Sequence, residues 1–273
     1  MMSDIPYLEA IDVSKVFGRR SRSKTAVDGV SLSVKAGDSI GIVGESGSGK
    51  STMARMLVGL LSPNKGLIAF NGEDVSQLRG KHKSDFRKDV QMVFQDPYAS
   101  LNPRMKIFDQ LAEGPRLYQL YDGELRLKEA IEELFMSVGM SVEHLNRYPR
   151  EFSGGQRQRI CIARALAVQP RILICDEPVS SLDVSIQAQI LNLLKDKVTE
   201  LNLTLIFVAH DLAVVKYLCS SMAVMERGKI VEQGDSNSIF GNPIHDYTKS
   251  LLKAIPTPNP IAERERLSLA KVQ

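Results

Sequence analysis

The stretch Gly44-Glu45-Ser46-Gly47-Ser48-Gly49-Lys50-Ser51-Thr52 fits the spacing G-x-x-x-x-G-K-[ST] in full. Glycines so placed let a backbone curl closely around an anion with its N–H groups turned inward. A helix opening at Lys50 adds the positive end of its dipole. Lys50 can then reach the β- and γ-phosphates of a nucleoside triphosphate, and Ser51 can ligate Mg²⁺. Much further on, Asp176 and Glu177 end the apolar run ILIC. Carboxylates at that edge of a parallel sheet sit where ligands bind. Asp176 is placed to hold the metal, and Glu177 to act as general base on a water. Gln95 after VQMVF and His210 after LIFVA end two more apolar runs in the same way. Both could reach the γ-phosphate, the metal or the water. Phe17 in SKVFG is open to two readings, an adenine-stacking ring or a core residue.

A second glycine turn, FSGGQ, also leads into helical sequence, in EFSGGQRQRICIARAL. It has no lysine in the usual place and no strand directly before it. Ser153 is a natural N-cap, and Gly154 and Gly155 allow close backbone approach. Taken alone, the turn reads as a second phosphate reader or as a capped surface helix.

The elements that must position these residues alternate. LEAIDV, VSLSV, SIGIV, LIAF and VQMVF read as strands. One helix interrupts them from Lys50, with Met53, Met56, Leu57 and Leu60 on its apolar face. From about residue 96 to 161 the sequence reads as helices. Strand-like RILIC, TLIFV and MAVME then return, the first two separated by a helix over about 185–199. This is an α/β core with an inserted helical part. A helix over about 245–254 follows, then IPTPNP and a charged tail expected to be flexible. The basic stretch RGKHKSDFRK reads as a solvated loop, and His82, His144 and His245 as surface residues.

Composition limits the function classes. With 273 residues and 43% hydrophobic content, a full core is expected. A net charge of +3 is too small to argue for a nucleic-acid partner. Cys161, Cys175 and Cys219 match no metal spacing and are expected to be reduced and buried. MMSDIPYLEAIDVSK is too polar for a signal peptide, and the longest apolar runs fall well short of the roughly 20 residues a membrane span needs. A soluble protein, or one held at a membrane by a partner, is expected.

Along nearly its whole length the chain resembles the nucleotide-binding subunit of ATP-binding cassette (ABC) transporters. GESGSGKST resembles the Walker A loop, VFQDP the Q-loop through Gln95, and FSGGQ the signature, with Phe152 where Leu is commoner. ILICDEP is similar to Walker B, SSLD through Ser181, Leu182 and Asp183 to the D-loop, and VAHD to the switch-histidine segment. The resemblance implies a P-loop NTPase fold with a RecA-like core, an antiparallel β-subdomain and an inserted helical subdomain. It implies ATP and Mg²⁺, with Ser51, Gln95 and Asp176 around the metal, Glu177 as catalytic base with Gln95 and His210, and Phe17 on adenine. It also implies that two such domains pack head to tail. Ser153, Gly154, Gly155 and Gln156 then read the nucleotide held by the partner's Walker A loop, which accounts for the missing second lysine.

FQDPYASLNPRM and FGNPIHDYTKSLLKAIPTPNP narrow the resemblance to the oligopeptide, dipeptide and nickel importer group, closest to the second ATPase of the peptide-import pair. The expected organisation is a cassette over 1–240, helical over about 96–161, with a C-terminal helix and tail over 241–273. Expected partners are a second ABC ATPase (a different subunit, or a copy of itself), two transmembrane permease subunits and, indirectly, an extracytoplasmic binding protein. The location implied is the cytoplasmic face of a bacterial-type inner membrane. Tyr98, Leu101, Asn102 and Pro103 are expected to form a docking loop for the permease. No cysteine follows Cys219, so no iron–sulfur cluster is expected. The alternatives are an importer of nickel or a glutathione-like substrate, or a non-transport ABC ATPase of translation or DNA repair. The latter types usually carry two cassettes or a long coiled coil, and neither is visible here.

Overall fold

A computed structural model describes residues 7–18 and 23–254. The expected flexible tail, 255–273, lies outside the described residues. The strands are β1 (Leu8–Phe17), β2 (Lys24–Val34), β3 (Ser39–Val43), β4 (Lys65–Phe70), β5 (Glu73–Asp74), β6 (Val90–Val93), β7 (Ile172–Asp176), β8 (Thr204–Ala209), β9 (Ser221–Glu226) and β10 (Lys229–Asp235). The helices are α1 (Lys50–Leu57), α2 (Gly80–Asp89), α3 (Pro97–Ser100), α4 (Ile107–Leu117), α5 (Gly123–Ser137), α6 (Gly154–Leu166), α7 (Val184–Glu200), α8 (Leu212–Leu218), α9 (Ser236–Gly241) and α10 (Asp246–Ala254).

Among the described residues the strands form two sheets. One is antiparallel, in the order β2-β1-β4-β5. The other runs β10-β9-β3-β8-β7-β6, parallel from β9 to β6 with β10 antiparallel at its edge. The near-continuous apolar runs of the parallel strands have a physical cause: both faces are covered. Alternate residues serve different cores. Leu173, Cys175, Leu205 and Phe207 pack with α6, α7 and the helices before them. Ile172, Ile174, Ile206 and Val208 pack with α1 and the antiparallel sheet. Because the parallel strands end together, their C-terminal edge gathers the residues that follow β3, β6, β7 and β8.

Three sequence expectations need correction. RGKHKSDFRK is not a loop; α2 occupies most of it. Its single apolar residue, Phe86, is buried and meets Phe70 edge-on at 5.3 Å, so one anchor rather than an apolar stripe holds this helix. Leu60 lies beyond α1 and is exposed, because Gly59 turns the chain out at φ +74. His144 is half-buried, its ring edge-on to Phe152 and its Nδ1 without a hydrogen-bond partner. The elements β10, α8 and α9 had no clear sequence signal. Cys161, Cys175 and Cys219 are free thiols in the core.

Candidate nucleotide site

The loop after β3 is held by close backbone contacts. A Cβ on Gly44 would lie 2.2 Å from the Met225 carbonyl oxygen, and one on Gly49 would lie 2.2 Å from that of Ala26. Gly49, at φ +108, is also the N-cap of α1 and supplies no side chain to its first turn. Nothing lies within 4 Å of the Gly47 Cβ position, so the loop's crest faces open space.

Lys50 is 3% exposed. Its ammonium donates to the carbonyls of Gly44 at 2.7 Å and Glu45 at 2.8 Å, and stands 3.6 Å from Glu177 Oε1. Burial pulls its pKa down, and Glu177 opposes that pull. Ser51 Oγ donates to Asp176 Oδ1 at 2.8 Å. Asp176 is buried at the end of β7, and desolvation raises its carboxyl pKa against the Ser51 hydrogen bond. Paired hydroxyl and carboxylate oxygens beside a phosphate-type loop are the hard donors that Mg²⁺ takes.

Glu177 sits at φ +45, in the left-handed region that non-glycine residues rarely enter. Its N–H donates to the Val208 carbonyl at 3.0 Å, which pins this turn to β8. The turn aims the carboxylate at Gln95, whose Nε2 donates to Oε2 at 3.2 Å, and toward His210, with Nδ1 at 3.9 Å. Gln95 Nε2 is also 3.3 Å from Ser180 Oγ. Ser180, the first residue of the SSLD stretch, thus stands beside the same amide. The cleft beside the loop is lined by Phe17, Lys24, Ala26, Ser46, Gly47, Gly49, Lys50, Ser51, Thr52, Gln95 and Glu177. Phe17 is 42% exposed on that cleft, so the core reading of this ring is excluded. Ser48 is buried under the loop.

Ser153 to Gln156 do not line the cleft. Ser153 caps α6: its Oγ accepts from the Gln156 N–H at 3.3 Å, and Gln156 Oε1 accepts from the Ser153 N–H at 3.0 Å. Leu182, and Ile186 on α7, lie against this turn. A Cβ on Gly154 would lie 3.4 Å from Leu182 Cδ2, and one on Gly155 would lie 2.6 Å from Ile186 Cγ2. Asp183 caps α7 by accepting from the Ile186 N–H at 3.0 Å.

The loop after Gln95 is tied to α6 and α4 by residues the sequence did not single out. Arg157, buried, donates to the Pro149 carbonyl at 2.7 Å and stacks 3.8 Å over the Tyr98 ring. Arg164 donates to the Ser100 carbonyl. Buried Gln110 accepts from the Asn102 N–H at 2.8 Å and donates to the Met105 carbonyl at 2.9 Å. Tyr98, Asn102 and Pro103 are exposed, but Leu101 is in the core and presents no docking surface.

An α/β sheet that delivers a glycine loop with its lysine, a Ser–Asp oxygen pair and a strained glutamate to one edge defines a P-loop ATPase. A model described as "ABC transporter" matches residues 27–180, and one described as "Oligopeptide/dipeptide transporter, C-terminal region" matches 231–271. The chain is 49% identical to the oligopeptide transport ATP-binding protein OppF of Streptococcus mutans, over 95% of this chain and 85% of the relative. It is 48% identical to the dipeptide transport ATP-binding protein DppF of Lactococcus lactis, over 95% and 83%. Among solved structures, the dimeric post-hydrolysis ATP-binding cassette MJ0796 bound to ADP and Pi superposes with TM-score 0.74 at 28% identity, covering 84% of this chain and 98% of that one. The cassette cbiO1 of Clostridium perfringens gives 0.77 at 25% identity, covering 96% and 99%. The chain belongs to the ABC transporter family, as an ATP-hydrolysing nucleotide-binding subunit.

Proposed function

We propose that this chain powers an ABC importer of oligopeptides or dipeptides by hydrolysing ATP between itself and a second cassette. The observation that carries the chemistry is the position of Glu177, held at once by Lys50, Gln95 and the turn at φ +45. Strain at one residue, fixed by its surroundings, is a usual mark of a working side chain. The peptide assignment is supported by the C-terminal match over 231–271 and by the OppF and DppF relatives.

In this reading residues 44–52 bind the triphosphate of ATP and Phe17 stacks on its adenine. Ser51, Asp176 and Gln95 would hold Mg²⁺, which would supply positive charge beside the phosphates. Glu177 takes the proton of the attacking water, with His210 and Gln95 beside it. Ser153 to Gln156 serve the nucleotide of the partner cassette, and Ser181 to Asp183 support that joint. The cassette extends over 1–240, its helical part over about 96–161, and 241–273 form the C-terminal region. No helix among the described residues is long and apolar enough to cross a membrane. Attachment to the cytoplasmic face of the membrane would therefore run through the two permease subunits, docked near Tyr98, Asn102 and Pro103.

The test is capture. Tagged Glu177→Gln, held with ATP and drawn gently from native membranes, should bring down two permease subunits and a second cassette ATPase. Recovery of the chain with ribosomes or DNA would reject the transport reading while leaving the ATPase intact.

A further inference from the structure

The C-terminal part of the chain reaches back to the phosphate loop. The Glu45 N–H donates to the Tyr247 hydroxyl at 2.9 Å, across 202 positions of sequence. The carbonyl of the same residue accepts from Lys50 Nζ at 2.8 Å. Glu45 is thus held on one side by the lysine of the loop and on the other by a tyrosine from α10.

The tyrosine is itself anchored. Glu232, on β10, accepts from the Ile244 N–H at 2.8 Å and the His245 N–H at 3.1 Å, which fixes the entry to α10. His245 Nδ1 accepts from the Tyr247 N–H at 3.2 Å, and Thr248 is fully buried one residue on. The Tyr247 ring packs, half-buried, against the core shared with α8 and α9. Glu232 and Tyr247 both lie in the region that matches the oligopeptide/dipeptide C-terminal model.

We infer that Tyr247 is a positioning residue for the phosphate loop: its hydroxyl fixes the Glu45 peptide, and with it the carbonyls that hold Lys50, in the shape that receives nucleotide. The inference rests on residues 44–52 being the nucleotide loop. It gives the C-terminal region a physical hold on the ATP site. Movement of α10 would be felt at Glu45 before any other part of the loop.

Tyr247→Phe deletes only the hydroxyl and keeps the ring that packs α10. In the membrane complex the KM for ATP should rise about 2- to 10-fold, the range of one net hydrogen bond. The kcat at saturating ATP should hold. Amide hydrogen exchange over 44–50 should quicken in the nucleotide-free protein, with the melting temperature unmoved. Tyr247→Ala, which also removes the ring, should lower the melting temperature and so mark what undocking of α10 looks like. An unchanged KM with unchanged exchange in Tyr247→Phe overturns the inference. So does a Phe variant that melts as early as the Ala variant, since the hydroxyl would then act only on the fold. Lys50→Ala, run alongside, separates the two readings. If it too leaves ATP affinity unchanged, the nucleotide loop itself is misassigned.

Discussion

Residues 44–52 and 152–156 both bend a glycine-rich stretch into the start of a helix, yet the two starts are finished differently. Gly49 gives α1 no side-chain cap, while Ser153 and Gln156 close a reciprocal capping box on α6. The first turn is surrounded by its own chain's lysine, serine and two carboxylates. The second has Leu182 and Ile186 as the neighbours of its glycines. A helix start can attract an anion through its amides. It becomes a hydrolytic site only where a base and a metal position are delivered as well. The first turn has Glu177 and the Ser51–Asp176 oxygen pair beside it, and in the proposed reading the second meets a phosphate brought by another chain.

The difference can be broken at the first turn with large effects. Glu177→Gln should leave ATP binding intact and slow hydrolysis by about 10²- to 10⁴-fold, the scale of a general base. Single-turnover hydrolysis in the assembled complex measures it, and a parental rate would remove Glu177 from that role. Lys50→Ala should weaken MgATP binding by about 10- to 100-fold, as expected for loss of a charged hydrogen-bond donor. Equilibrium titration with a fluorescent ATP analogue checks this.

Asp176 should show a smaller effect of opposite sign. Burial raises its pKa, so the folded state holds the proton more tightly than the unfolded chain does. Stability is then lost as pH climbs from the ordinary carboxylate range through the raised value, because the buried group must ionise. Asp176→Asn should therefore melt about 2 °C higher than the parent at neutral pH without nucleotide. The gain should vanish in acid, and Mg²⁺-dependent hydrolysis should be lost. Melting curves at two pH values decide the matter.

Much of the first turn was legible before the structure because its chemistry is written in contiguous residues. Gly44 to Thr52 lie in one run, and Asp176 and Glu177 end an apolar run that reads as a covered strand. Gln95 and His210 were found by the same logic of strand ends. What the sequence hid depends on contacts across the chain. Arg157 under Tyr98, Gln110 inside the loop at Asn102, and Tyr247 on Glu45 join residues whose types look ordinary in isolation. The left-handed turn at Glu177 was equally invisible, since a glutamate gives no sign of positive φ. Leu101 was misjudged for a related reason: its neighbours Asn102 and Pro103 are loop formers, but its side chain turns into the core. Helix α2 was missed because its burial rests on Phe86 alone.

In the proposed reading one chain's glycine loop holds ATP while its signature turn serves the ATP of another. The most direct measurement is the MgATP affinity of the dilute, unpartnered chain carrying Ser153→Arg, beside the parent and Lys50→Ala. Ser153→Arg should bind as the parent does while Lys50→Ala loses affinity. A loss in Ser153→Arg as large as that in Lys50→Ala would show that the signature turn reads its own chain's nucleotide, and would contradict the division between the two turns.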